Sequence, residues 1–182
     1  WMHNNMITID GQKMGKSLGN AMSLDDIFVG SHPLLEKAYS PMTIRFFILQ
    51  AHYRSTLDFS NEALQAAEKG LKKLLAADTA LRNLKAQTTA KDQGVDPIVE
   101  ACYAAMNDDF SSPMAIASLF DAVKMINAAA DGLLALNEND LAQLIQLFDD
   151  FVFDILGLKP ETSGTDLELV DGLMQTIIGL RQ

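Results

Sequence analysis

The chain has little that would tie a fold together covalently or hold it in a bilayer: one cysteine, five prolines and no apolar run near the ~20 residues that cross a membrane, in 182 residues. One cysteine forms no intrachain disulfide, and with three histidines it cannot supply four zinc ligands at a recognised spacing, so no metal site is expected. A chain of this length needs neither staple, since it can bury about 70% of the surface its unfolded form exposes. Cys102 lies in the apolar-periodic stretch Ile98-Val99-Glu100-Ala101-Cys102-Tyr103, where a small buried hydrophobe fits better than a reactive thiol. The opening Trp1-Met2-His3-Asn4-Asn5-Met6 has neither the cationic start nor the apolar core of a secretory signal, so a soluble, cytoplasmic protein is expected. A start on Trp1 and a stop at Gln182 inside a helical period give it the look of a piece of a longer chain.

Basic residues are scarce as well, 14 against 24 acids, for a net charge of −10. The deficit is uneven: the net charge is 0 over residues 1–58, +2 over 59–95 and −12 over 96–182. An acidic half of that size repels phosphate within a Debye length of about 10 Å, so nucleic-acid contact is expected on the first half and a solvated helical surface on the second.

Hydrophobic periodicity predicts a mainly α protein. Met6-Ile7-Thr8-Ile9 before Asp10-Gly11 reads as a short strand entering a tight turn, with no other convincing strand to pair with, so residues 1–22 are expected to be loosely held. Ser23 with Asp26 three positions on forms a capping-box signal, and Gly30 can end that short helix. Ser40-Pro41, Ser60, Asp96-Pro97 and Ser112-Pro113 mark further helix starts. Helices follow to Tyr53, from Asn61 to about Gln87, to about Asn107, through Ile126, from Glu138 to Leu156, and from near Asp166. His52 to Phe59 changes rhythm and reads as extended, and 88–95 as a polar loop. Such helices, joined by short loops, predict an antiparallel bundle preceded by a strand and loop.

The chemistry sits in Asp10-Gly11-Gln12-Lys13-Met14-Gly15-Lys16-Ser17-Leu18-Gly19-Asn20. Two lysines separated by two residues and flanked by glycines can bring two ammonium groups against one polyphosphate, with Ser17 adding a hydroxyl. That arrangement suits the charge developing on a departing pyrophosphate. A P-loop is excluded, because its first glycine would fall at Asp10 and no long helix follows Ser17 directly.

The stretch Lys13-Met14-Gly15-Lys16-Ser17-Leu18-Gly19-Asn20 resembles the Lys-Met-Ser-Lys-Ser signature of class I aminoacyl-tRNA synthetases. The flanks Trp1-Met2-His3-Asn4, Arg45-Phe46-Phe47-Ile48-Leu49, His52-Tyr53-Arg54-Ser55 and Asn107-Asp108-Asp109-Phe110-Ser111-Ser112-Pro113 resemble the cysteinyl-tRNA synthetase family. The likeness runs through most of residues 1–156 and fades beyond Gly157. It implies that Lys13 and Lys16 stabilise cysteine activation, and that Met14, Gly15 and Ser17 complete the ATP loop. Gly15 departs from the family's serine, which removes a hydroxyl and loosens the loop.

The resemblance also implies a division: 1–22 as the end of a catalytic domain, 23–60 as helices that contact the tRNA stem, and 61–182 as a bundle preceding anticodon recognition. ATP, cysteine and the tRNA for cysteine are the implied partners, with no membrane. The family's zinc ligands and its His-Ile-Gly-His signature are not in the 182 residues, so this chain alone is expected to be inactive. Charge points to Arg45, Arg54, Lys69, Lys72 and Lys73 for tRNA contact, with His52 and Tyr53 as neighbours. Two other readings stand: the cysteine ligase of mycothiol synthesis, and a non-catalytic helical scaffold.

Overall fold

The structure, a computed structural model, describes residues 1–160. Its elements run β1 (Ile7–Ile9), β2 (Gln12–Lys13), a 3-10 turn (Lys16–Leu18), α1 (Leu24–Val29), α2 (Pro41–Leu49), β3 (Leu57–Phe59), α3 (Asn61–Asn83), α4 (Asp96–Asn107), α5 (Ser112–Ala130), α6 (Glu138–Leu147) and a π-helical segment (Phe148–Ile155). The mainly α reading holds. The helix expected from near Asp166 lies outside the described residues.

Most helix starts follow from the residues that cap them. Ser23 accepts from the Asp26 amide while the Asp26 carboxylate accepts from the Ser23 amide, a full capping box. Ser40 caps α2 through the Thr43 amide with Pro41 in the first turn, and Ser60 caps α3 through the Ala63 amide. Asn137 and Asp140 form a second capping box at α6. The Asp140 carboxylate is fully buried and also accepts from the Gln93 amide, fastening the 84–95 loop to the bundle.

Helix α3 is the central beam. Its stripe Leu64, Ala67, Leu71, Leu74, Ala77 and Leu81 is buried, and it packs against α2, α5 and α6. At the crossing with α2, a Cβ on Gly70 would stand 3.0 Å from Cε1 of the fully buried Phe46, so glycine permits this close approach. Cys102 is buried in the α4–α5 interface, where its Sγ contacts the Ala115 carbonyl at 3.8 Å and burial pushes the thiol up to about 11. The small-hydrophobe reading of this residue stands.

Two expectations need correction. The opening strand is not partnerless: β1 pairs antiparallel with β2 and parallel with β3, in the order β2-β1-β3. Asp10 and Gly11 both have positive φ, 49° and 76°, as a two-residue type I′ hairpin requires. Asp58 on β3 clamps that turn, its Oδ1 accepting from Thr8 Oγ1 at 2.7 Å and the Gly11 amide at 2.8 Å. The reading of β1 as the one strand failed because β3 is three residues long and lies about fifty positions away.

The second correction concerns Glu138 to Leu156. The α-helical register ends at Leu147, and the chain continues as a π-helix to Ile155, keeping Phe148, Phe151 and Val152 in the core. It closes on Leu156, whose carbonyl accepts from Arg45 Nε at 2.7 Å, and on Gly157 at φ 61°.

Candidate phosphate loop and RNA-facing surface

The hairpin β1–β2 delivers Lys13 at its end, and the 3-10 turn carries Lys16 three residues on. Both lysines and Ser17 are exposed, while Met14 packs partly against the core and anchors the segment. Asn20 is buried and braces the loop from within: its Oδ1 accepts from the Gly15 amide at 2.8 Å, and its Nδ2 donates to the Lys13 carbonyl at 3.2 Å. Gly19 turns the chain at φ 67° and returns its amide to Lys16 O. The backbone between the two lysines is therefore fixed while their side chains are free. Neither ammonium has an ion-pair partner among the described residues.

Gly15 is extended, with φ −164°, and an added Cβ would meet only Leu18 and Ser17 side-chain atoms at 3.8 Å or more. Its backbone does not require glycine. Behind the turn lies an open cavity of about 340 Å³ with a mixed lining, Asp10, Gln12, Asn20 and His32 alongside Leu18 and Leu34.

The five cations expected on an RNA-facing surface do not form one cluster. Arg45 is committed to the Leu156 carbonyl, and its guanidinium lies where a Cβ on Gly157 would stand, 2.7 Å from Nη2. Lys69, Lys72 and Lys73 are exposed on α3 at helix-neighbour spacing. Lys72 pairs with Glu68 at 2.9 Å, and Lys37 reaches the same carboxylate at 2.5 Å. The two hydrogen bonds, Lys37 first, hold Glu68 below the usual carboxylate range.

Arg54 is drawn into a constellation that the sequence does not announce. Its Nη2 donates to Asp109 Oδ1 at 3.1 Å, and its Nε lies 3.1 Å from Oδ2. Tyr53 Oη donates to the same Oδ1 at 2.6 Å, and His52 Nε2 lies 3.6 Å from Oδ2. The hydrogen bond with Tyr53 and the Asp109 charge raise the guanidinium's affinity for its proton. In the sequence Asp109 stands out only as part of a family-like stretch, because its partners are more than fifty positions away.

Among the described residues no three His, Cys, Asp or Glu side chains converge as a metal would need, and the one thiol is buried against a backbone carbonyl. No helix among those residues is long and apolar enough to cross a membrane.

With this geometry in view, comparison with known proteins is specific. Residues 1–69 match the tRNA synthetases class I (C) catalytic domain, and residues 101–159 match the DALR domain. The chain thus belongs to the class I tRNA synthetases, which agrees with a lysine loop leading into a helical bundle. The cysteine-tRNA ligase of Parabacteroides distasonis is 54% identical over 186 residues, covering 100% of this chain and 37% of the relative. Those of Porphyromonas gingivalis and Phocaeicola vulgatus are each 57% identical over 91% of the chain. Within the class, the chain belongs to the cysteine-tRNA ligase family. It spans about a third of the length of these relatives, 37% in the first and 34% in the other two.

Proposed function

We propose that the chain supplies the phosphate-handling loop and the tRNA-facing helices of an enzyme that activates cysteine with ATP, releasing pyrophosphate, and transfers the cysteinyl group to its tRNA. The observation that carries this reading is the pair of free ammonium groups on Lys13 and Lys16, held on a backbone that Asn20 braces. A braced backbone keeps both ammonium groups within reach of the charge that develops on the phosphates. Met14 seats the loop, and Ser17 offers a hydroxyl to the phosphates. ATP is a substrate here, and no step is assigned to zinc.

In this reading residues 1–22 present the loop, 23–60 contact the tRNA stem, and the helices from 61 to the end of the described residues form the bundle ahead of anticodon recognition. Lys69 and Lys73 meet RNA phosphates more readily than Lys72, whose charge is partly spent on Glu68, while Arg45 serves mainly to tie α2 to the bundle. The relatives' names favour tRNA over an amino-sugar as the acceptor.

A chimera tests the reading: this chain replaces the matched 37% of the Parabacteroides distasonis ligase, and cysteinylation of its tRNA is measured. The chimera should charge tRNA within about tenfold of the parent enzyme. A folded chimera that makes no cysteinyl-tRNA would favour the scaffold reading.

A further inference from the structure

We propose that Asp109 is an internal stand-in for an RNA phosphate: it occupies the donors of His52, Tyr53 and Arg54, and a tRNA phosphate arriving at Arg54 displaces it. The inference rests on the tRNA-binding reading above and adds a regulated contact to it.

Arg54 Nη2 donates to Asp109 Oδ1 at 3.1 Å, while its Nε donates to Tyr53 Oη at 3.0 Å and lies 3.1 Å from Asp109 Oδ2, so one edge of the guanidinium faces the carboxylate as it would face a phosphate. Tyr53 Oη adds a donor at 2.6 Å, and His52 Nε2 lies 3.6 Å from Oδ2. These three side chains behave as one unit. The His52 and Tyr53 rings stack with centroids 4.7 Å apart, and the Arg54 guanidinium lies 5.5 Å from the Tyr53 ring centre. Their backbone is anchored independently of Asp109, because the Asn5 amide donates to Tyr53 O and Asn5 Nδ2 to Arg54 O, both at 2.9 Å. The donors therefore stay assembled when the carboxylate leaves.

The carboxylate sits on the turn between α4 and α5, whose backbone is held by the Phe110 amide on Met106 O at 3.2 Å and the Ser111 amide on Ala105 O at 3.0 Å, so its release is a side-chain movement. Asp109 and Phe110 have φ of 57° and 53°, consecutive non-glycine residues in the left-handed region. Phe110 is 58% exposed, so its ring offsets little of that strain by burial. The contact is also open to solvent, with side-chain exposures of 66% for Arg54 and 37% for Asp109. An exposed pair of this kind is weakly held, and a polyanion can compete for it.

Asp109→Asn isolates the charge, since asparagine tolerates the left-handed conformation better than most residues. In the 182-residue chain, Asp109→Asn should tighten binding of bulk tRNA about three- to tenfold at low salt. It should also steepen the salt dependence by nearly one counterion, the signature of one added phosphate contact. Arg54→Ala in that background should abolish the gain. Unchanged or weaker binding by a folded Asp109→Asn chain would overturn the proposal, and Asp109→Gly, which keeps the backbone angle, repeats the test should asparagine disturb the fold. If no version binds tRNA, the tRNA reading fails and inorganic phosphate decides the latch alone. It should shift the Arg54 Nε–Hε resonance at lower concentration in Asp109→Asn than in the parent, and an unmoved resonance in both would overturn it.

Discussion

Gly157 and Gly15 look equally replaceable in the sequence, yet their surroundings give them opposite tolerances. Gly157 has φ 61° and no room for a Cβ beside Arg45 Nη2, whereas Gly15 is extended and an added Cβ would meet only ordinary van der Waals contacts with Leu18 and Ser17. Gly157→Ala should therefore lower the unfolding free energy by roughly 1–3 kcal/mol in urea titrations, from left-handed strain and the displaced guanidinium. Adding Arg45→Ala should cost less than the sum of the two single changes, because both remove the same contact. Gly15→Ser should stay within about 0.5 kcal/mol of the parent. Equal losses at both glycines would contradict this assignment. The constraint on Gly157 comes from an arginine 112 positions earlier, and the left-handed backbone of Asp109 carries no glycine to mark it.

Among elements, those fixed by local chemistry were the legible ones. Ser23 with Asp26, Ser40-Pro41 and Ser60 cap their helices with partners three residues away, so spacing alone revealed them. The Lys13-to-Asn20 loop was legible for the same reason, although Asn20's role as its internal brace was not. The extended stretch ending at Phe59 was legible but its pairing with β1 was not, because that contact is non-local, and the π-helical turn at Phe148–Ile155 was hidden because its apolar residues also fit an α-helical period. The small sheet carries its own prediction. Hydrogen bonds from Thr8 and then the Gly11 amide hold the Asp58 carboxyl below the ordinary aspartate value of 3.8. A group depressed on folding contributes stability above its unfolded pKa, and that contribution is lost as pH falls through the folded value. Exchange at the Gly11 amide should thus accelerate, beyond its intrinsic pH dependence, as pH drops below about 4. Asp58→Asn should remove the acceleration. An identical pH profile in the variant would show that the clamp does not hold the turn.

At the scale of the whole molecule, one hydrophobic cluster runs from Ile9 in β1 through Phe46, Phe59 and Leu74 to Leu158. The lysine loop is therefore mounted on the same packed body as the helical bundle. Under the proposed function, that continuity gives the loop a firm base from which its two ammonium groups would act. If Lys16 stabilises charge that appears only as pyrophosphate departs, its loss should show in the rate of the chemical step and not in ground-state ATP affinity. The direct measurement is single-turnover cysteinyl-adenylate formation by the chimeric ligase carrying Lys16→Ala, followed across ATP concentrations. The expected result is a maximal rate about 10²–10³-fold lower with the ATP dissociation constant little changed, the range for removing one preorganised charge-stabilising donor. An unchanged maximal rate with only weaker ATP binding would contradict the catalytic assignment of the loop.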